Sequence, residues 1–298
     1  MREELLNLIS SSIVYKYDLP NHELAIDKSI FSTENDKCFS SVSNETLATI
    51  IYNSIVEYSF NEFDLQGKDI GNMHSIALQT KLKYNEYATE KSKISYGFHG
   101  ETILYCMLYA KLNAKPVISR GYFYNPLESS ETKGYDSYHL IENNGVTELW
   151  FGEVKFRNTH GSGIDSALES IEKAISDAYL SKNFLAITNH KNNFNISGTK
   201  VESIIAQWEE NPSIDIIEEV KKHDIKLIYP IVILYNEHQH GYDHSIKIAI
   251  QHIIDKHSAK SFTLSIPFSI YFIWLPVEKV RDIKTTVIEW IESKKQLI

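Results

Sequence analysis

Two strand-like segments joined by an Asn-Asn-Gly tract constrain the fold of this chain more than any other feature. Residues 134–142 (GYDSYHLIE) and 147–156 (TELWFGEVKF) are rich in the aromatic and β-branched residues that favour strands. The tract between them, Asn143-Asn144-Gly145, is typical of a tight hairpin turn. We therefore predict that the two segments pair as antiparallel neighbours in one sheet.

The elements around this hairpin predict an α/β fold with a central mixed sheet flanked by helices. A helix at residues 97–113 and a strand at 116–124 precede the hairpin, and an amphipathic helix at 165–182 follows it. The rest of the chain is predicted to form helices at 198–208 and 213–223, a strand at 225–235, a helix at 243–257, a strand at 261–275 and a helix at 278–294.

An N-terminal mixed extension comes before these elements. It contains a helix predicted at residues 44–60, because apolar residues recur there at helical spacing and Ser43 or Asn44 can cap the first turn. A second helix is predicted at about residues 71–83.

An acid and a base interrupt the apolar pattern of the second hairpin strand. Glu153 and Lys155 are two residues apart, so their side chains point to the same face as Leu149 and Phe151. Ionised groups beside apolar ones are costly unless the charges are paired or used. This pair is therefore a candidate functional site, with a solvated cross-strand ion pair as the alternative.

A second carboxylate is brought to the same place by the hairpin. A turn at residues 143–145 pairs residues whose numbers add to about 288 or 289. Asp136 is thereby placed opposite Gly152 or Glu153, although a surface aspartate near a turn is the simpler alternative.

These residue types match the needs of metal-dependent phosphodiester cleavage. Magnesium prefers oxygen ligands, and Asp136, Glu153 and the backbone carbonyl of Val154 can supply three. Lys155 can orient the attacking water or stabilise charge on the phosphate. Glu101, near the start of the preceding helix, is a further candidate ligand, or only an acid favoured by the helix dipole.

The set of Asp136, Glu153-Val154-Lys155 and Glu101 resembles the active site of the PD-(D/E)xK nuclease superfamily. The resemblance implies a restriction-endonuclease-like core built around the mixed sheet. One departure is Tyr135, which stands where many members of the superfamily have a proline.

Three runs, GYDSYHL, LWFGEVKF and GIDSALESIEKAISD, are more specifically similar to the HamA family, the nuclease effectors of the Hachiman anti-phage defence system. The similarity covers residues 97–180 clearly and the C-terminal part loosely, and none is claimed for the first ninety residues. It implies a Mg²⁺-dependent deoxyribonuclease, with Mn²⁺ as a second suitable metal, that acts with a partner helicase, HamB. Asp136, Glu153 and Lys155 are implied as catalytic residues, and Glu101 less directly.

The resemblance also suggests a division of the chain. Residues 96–298 are predicted as the nuclease domain with its C-terminal strand and helix elements. Residues 1–95 are predicted as a mixed region that is a candidate for binding the partner.

Two other functions remain open at this point. One is a non-catalytic, partner-binding regulatory module on a nuclease-like fold, against which the intact acid–acid–lysine set argues. The other is a stand-alone restriction or repair endonuclease, against which the lack of an obvious basic DNA-recognition region argues. The net charge of −9 disfavours tight independent DNA binding, and suits a chain that receives DNA from a helicase.

The histidines are predicted to be structural or superficial. His238, His240 and His244 lie close together in a polar stretch, but without a fourth ligand they are predicted to be surface residues rather than a zinc site. His139 points to the strand face opposite Asp136 and is predicted to be packed or hydrogen-bonded rather than catalytic.

Other polar residues near the hairpin have open roles. His99 and His160 are candidates for the border of the site. Gly161–Gly163 precede a helix and are either a phosphate cradle or a plain strand-to-helix turn. Arg157, just past the second strand, is a candidate contact for the nucleic-acid backbone, or it covers the sheet edge.

The chain is expected to be cytoplasmic, with no membrane association. Its first ten residues, MREELLNLIS, lack the pattern of a secretory signal. The most apolar stretch, residues 262–277, is short and holds two prolines, which favours a buried strand. Cys38 and Cys106 are the only cysteines and imply no disulfide framework.

Overall fold

The computed structural model describes residues 1–28, 34–125, 130–131, 134–143, 145–188, 195–209, 214–257 and 260–298. Its strands are β1 (Ile13–Leu19), β2 (Asp36–Ser41), β3 (Lys115–Pro116), β4 (Tyr124–Asn125), β5 (Ser130–Glu131), β6 (Ser137–Asn143), β7 (Val146–Phe156), β8 (Ile225–Asn236) and β9 (Phe268–Val277). Its α-helices are α1 (Glu3–Ser12), α2 (Asn44–Ser59), α3 (Glu62–Leu65), α4 (Ile70–Ile76), α5 (Glu90–Ser95), α6 (Phe98–Leu112), α7 (His160–Ala174), α8 (Asp177–Thr188), α9 (Lys200–Glu209), α10 (Ile216–Lys222), α11 (Tyr242–His257) and α12 (Val280–Glu292).

Seven strands form one central sheet in the order β1-β2-β9-β8-β7-β6-β3. The contacts of β9 with β2 and β8, and of β8 with β7, are parallel, whereas β1–β2, β7–β6 and β6–β3 are antiparallel. The α/β fold with a mixed sheet flanked by helices is therefore confirmed, as is an N-terminal helix–strand extension. That extension supplies β1 and β2 to the central sheet, while the boundary at residue 95 stays a prediction.

The two faces of the sheet bury separate apolar clusters, and β7 contributes alternate residues to each. Leu149 and Phe151 pack in the cluster beneath α7, whereas Trp150, Val154 and Phe156 pack in the cluster with α2, α6 and α12. This alternation confirms the predicted faces of the strand and places Glu153 and Lys155 on the α7 side.

The hairpin register is also confirmed. Ser137 is the partner of Gly152, and the Asp136 N–H donates to the Gly152 carbonyl at 3.0 Å. Asp136 therefore lies immediately before β6, beside Glu153. Asn144, in the predicted turn, lies outside the described residues.

The predicted strand at 116–124 is wrong over most of its length. Only β3 and β4 are extended, and Arg120–Phe123 forms a 3₁₀ turn. The Ser119 N–H bonds the Asn61 side chain at 2.9 Å, and a Cβ on Gly121 would stand 2.4 Å from the Ser59 carbonyl oxygen. Close packing against the end of α2 thus replaces the strand pairing that the sequence favours.

Two other elements have different bounds from those predicted. The helix predicted at 165–182 begins at His160 and is broken at Ser176, which bridges to Thr263 and accepts the Tyr179 N–H at its hydroxyl. The strand predicted at 261–275 begins at Phe268, because Pro267 lacks the N–H that a paired strand residue donates.

His139 packs inside the protein, which confirms the first of its two predicted roles, and we expect its imidazole to destabilise the fold. Its imidazole is 1% exposed, and neither ring nitrogen has a hydrogen-bond partner in the described part of the chain. Burial lowers its pKa to about 3, so the ring is neutral. Replacing His139 by Leu removes these unpaired atoms and should raise the free energy of unfolding by about 1 kcal/mol in urea denaturation. A loss of stability of that size would show that the imidazole has a partner such as a bound water.

Candidate active site

Asp136 is held against the end of β7 by two hydrogen bonds. Its N–H donates to Gly152, and its Oδ2 accepts the Val154 N–H at 2.9 Å. Gly152 leaves room for the next residue of the hairpin, because a Cβ there would stand 2.3 Å from the Ser137 hydroxyl oxygen. The carboxylate is thus fixed beside the strand that carries Glu153.

Glu153 and Lys155 form an ion pair on the α7 side of β7. The Lys155 Nζ lies 2.5 Å from the Glu153 Oε1, and the two side chains are 15% and 13% exposed. The structure therefore brings Asp136, Glu153 and Lys155 together in a partly buried group.

The two carboxylates oppose one another's ionisation. Burial, followed by the Asp136 charge, raises the pKa of Glu153 to about 7, although Lys155 and Ser170 act in the opposite direction. Burial also raises the pKa of Asp136, against the effects of the Val154 N–H, Arg120 and Lys155. A cation placed between these groups would relieve the repulsion.

This shift predicts a pH dependence of stability for the metal-free protein. Between the ordinary glutamate pKa of 4.5 and about 7, the folded chain holds a proton on Glu153 that the unfolded chain releases. The contribution of Glu153 to stability therefore falls as the pH rises through this interval. Urea denaturation from about pH 5 to about pH 8 should show a Glu153→Gln variant gaining stability relative to wild type as the pH rises. A constant difference between the two proteins would contradict the raised pKa.

The Val154 carbonyl is directed toward the same site. In a strand, the N–H and the carbonyl of one residue point to the same edge, and successive residues alternate between the two edges. The Gly152 carbonyl and the Val154 N–H both point to the β6 side, where they meet Asp136. The Val154 carbonyl therefore points to that side too, beyond the first residue of β6.

Glu101 occupies a different position from the other acids. It lies on α6, which packs on the opposite face of β7, with Gly100 against Val154 and Phe156. Its carboxylate accepts the Tyr58 hydroxyl and lies 3.6 Å from the Arg120 Nε. Its predicted role as a metal ligand stays a prediction.

Arg120 is a buried cation paired with Glu101, and sequence reasoning missed it. The side chain is 7% exposed and pairs with Glu101, and its charge opposes the rise that burial causes in the pKa of Asp136. A lone arginine in the apolar stretch PVISRGYF was the available signal, because a buried cation needs acidic partners. Tyr58 and Ser170 were also missed, and their sequence contexts give no comparable signal.

The donor set fits a hard divalent cation. Two carboxylates and one carbonyl are all oxygen donors, which Mg²⁺ and Mn²⁺ accept with water completing the shell. Within the described residues, no group of three or more His, Cys, Asp or Glu side chains is arranged to hold a metal ion. A cation here would therefore rest on Asp136, Glu153 and the main chain of Val154.

The histidine stretch lies at the surface, as predicted. The ring centroids of His238, His240 and His244 are 4.7 to 5.3 Å apart, and the His238 Nδ1 accepts the His240 N–H at 3.2 Å. His160 packs against Tyr235 and His252 instead of Glu153.

Three further candidates have defined positions. His99 is buried on the α6 side of the sheet, and its Nε2 lies 3.2 Å from the Lys93 carbonyl oxygen. Gly161–Gly163 form the first turn of α7 rather than a loop, with Gly163 close to Ile233. Arg157 is exposed just beyond β7.

Comparison with known families gives one match that spans most of the chain. The family model of HamA matches residues 10–291. The chain belongs to the HamA family. This match begins at residue 10, so the similarity to HamA extends into the N-terminal region. The three short sequence runs that first indicated the family gave no similarity for that region. No curated protein matches the chain.

Membership of the HamA family makes this a protein associated with Hachiman anti-phage defence. The matched range runs from α1 into α12 and includes all seven strands of the central sheet. In the described ranges, no helix has the length and apolar character needed to cross a membrane.

Proposed function

We propose that this chain is a Mg²⁺-dependent deoxyribonuclease effector that acts with a helicase in Hachiman defence. The observation that carries the proposal is the partly buried group of Asp136, Glu153 and Lys155 in a HamA-family chain. Burying two mutually repelling carboxylates beside one lysine is costly, and perturbed groups of this kind cluster at functional sites. The same group suits a site that receives a cation and a phosphate.

Each residue of the group has a distinct part in hydrolysis of a phosphodiester. Asp136, Glu153 and the Val154 carbonyl would hold the divalent cation, which supplies charge neutralisation and a more acidic bound water. Lys155 directs its ammonium group toward Glu153, where it can orient the attacking water and face the phosphate oxygens. The water oxygen bonds to phosphorus, its proton passes to solvent, and the broken ester bond leaves an alkoxide that takes up a proton.

The net charge of the chain and its family support the proposal of a helicase partner. The chain carries a net charge of −9, so phosphate neutralisation by the chain as a whole is weak. A partner that holds DNA would raise its local concentration at the site. The isolated chain should therefore cleave DNA slowly compared with the complex.

The experiment is plasmid digestion by the chain with and without its helicase subunit, each with Mg²⁺ and with a chelator in its place. We expect cleavage that needs Mg²⁺ and is strongest in the complex. Cleavage that persists in chelator would contradict the metal-dependent mechanism. No cleavage under any condition would favour the non-catalytic regulatory module, and full activity without the helicase would favour a stand-alone endonuclease.

A further inference from the structure

A series of hydrogen bonds connects α8 to the residue before Asp136. The Tyr135 N–H donates to the Tyr138 hydroxyl oxygen at 3.1 Å, and that hydroxyl donates to the Asn183 Oδ1 at 3.2 Å. The Asn183 Nδ2 in turn donates to the carbonyl of Tyr179, four residues earlier in α8, at 2.9 Å, which fixes the orientation of the Asn183 amide. The series therefore ends at the backbone next to the candidate metal ligand.

These hydrogen-bonding groups are enclosed by the core on the α7 side of the sheet. Tyr135, Tyr138 and Asn183 are all buried. The Tyr138 ring stacks on Phe123 with centroids 5.0 Å apart and meets Phe151 edge to face at 6.0 Å, and these contacts restrict its rotation. A buried N–H that loses its acceptor is costly, so the Tyr135 N–H depends on the Tyr138 hydroxyl.

Gly134 leaves space for the hydrogen bond between Tyr138 and Asn183. A Cβ on Gly134 would stand 2.5 Å from the Tyr138 hydroxyl oxygen and 2.8 Å from the Asn183 Oδ1. Both distances are below the roughly 3.3 Å of close contacts between carbon and oxygen atoms. Even a methyl group at residue 134 would therefore displace the hydroxyl or the amide.

The backbone that leads into Asp136 is held at several points. The Tyr135 N–H is bonded to Tyr138, and the Tyr135 hydroxyl donates to the Ala174 carbonyl at the end of α7 at 3.0 Å. Asp136 then bonds to β7 through its own N–H and its Oδ2. A shift of the Tyr135 backbone would therefore move the Asp136 carboxylate relative to Glu153.

We propose that Tyr138 and Asn183 are positioning residues, which hold Asp136 where it can bind a divalent cation together with Glu153. Hydrogen-bond partners that orient a metal ligand typically change the metal affinity by about 10- to 100-fold when they are removed. Neither residue touches the cation, and both act through the backbone of Tyr135. This inference rests on the proposed function, because it takes Asp136 and Glu153 as the metal ligands.

The test is Mn²⁺ binding by the full chain, measured by electron paramagnetic resonance of the free Mn²⁺. Tyr138→Phe, which removes only the hydroxyl, should weaken binding about tenfold. Gly134→Ala, which displaces the hydroxyl without removing it, should weaken binding by a similar factor. Tyr235→Phe is the matched control, because it removes a buried hydroxyl that donates to the Ser245 carbonyl at 2.9 Å, and it should bind Mn²⁺ as wild type does.

A second measurement separates positioning of Asp136 from general stability. Tyr138→Phe and Tyr235→Phe each lose one buried hydrogen bond, so their unfolding temperatures should fall by similar amounts. Hydrogen exchange of the Tyr135 amide in the metal-free chain should be faster than in wild type for Tyr138→Phe and Gly134→Ala, and unchanged for Tyr235→Phe.

The outcomes distinguish failure of this inference from failure of the proposed function. Unchanged Mn²⁺ affinity in Tyr138→Phe would overturn the inference and leave the metal site standing, as would an equal loss of affinity in Tyr235→Phe. If Tyr138→Phe does not fold, the affinity of Gly134→Ala decides in the same way. Absence of Mn²⁺ binding by wild type would contradict the proposed function, and the inference with it.

Discussion

Replacing Glu153 by Gln should reduce Mg²⁺-dependent DNA cleavage by the complex about a thousandfold. The substitution keeps the size of the side chain, but it removes one of two anionic oxygen donors at the site. Lys155→Met should have a similar effect, because it removes the ammonium group 2.5 Å from Glu153 and adds no new charge. The measurement is the initial rate of plasmid nicking.

Stability separates loss of chemistry from loss of fold in these variants. Glu153→Gln removes the repulsion from Asp136, so its free energy of unfolding at neutral pH should equal or exceed that of wild type. Glu218→Gln, an exposed change of the same kind, should retain full cleavage. A folded Glu153→Gln variant that cleaves at the wild-type rate would remove Glu153 from the active site.

Replacing Arg120 by Met should lower the free energy of unfolding by about 3 kcal/mol. The guanidinium is buried, pairs with Glu101 and opposes the rise that burial causes in the pKa of Asp136. Methionine fills much of the same volume but leaves the Glu101 carboxylate buried without this cation. Urea denaturation at neutral pH measures the loss.

A second substitution tests whether charge causes this loss. Adding Glu101→Gln to Arg120→Met removes the isolated carboxylate and should recover about 1 to 2 kcal/mol. Arg157→Met, at an exposed position, should change stability by less than about 0.5 kcal/mol. If the loss of unfolding free energy in the double variant equals the sum of the losses in Arg120→Met and Glu101→Gln alone, the two residues do not interact energetically.

The part of the site that could be predicted from the sequence depends on local pairing. A short turn fixes the register of β6 on β7, so the juxtaposition of Asp136 with Glu153 follows from residue numbers alone. The faces of β7 follow from strand alternation in the same way.

The rest depends on contacts between residues distant in sequence. Arg120 is brought to Glu101 by packing of its 3₁₀ turn against the end of α2, which no local pattern encodes. The pairing of Lys37 in β2 with Ile273 in β9 joins segments more than two hundred residues apart. Such contacts depend on the packing of the whole core, and the hydrophobic periodicity of the sequence does not predict them.

The central claim is that Asp136 and Glu153 hold a divalent cation, and Mn²⁺ binding to the full chain tests it most directly. Electron paramagnetic resonance measures the free Mn²⁺ that remains as the protein is added. We expect wild type and Glu218→Gln to bind Mn²⁺, and Asp136→Asn and Glu153→Gln to lose that binding. Equal Mn²⁺ binding by all four proteins would contradict the proposed site.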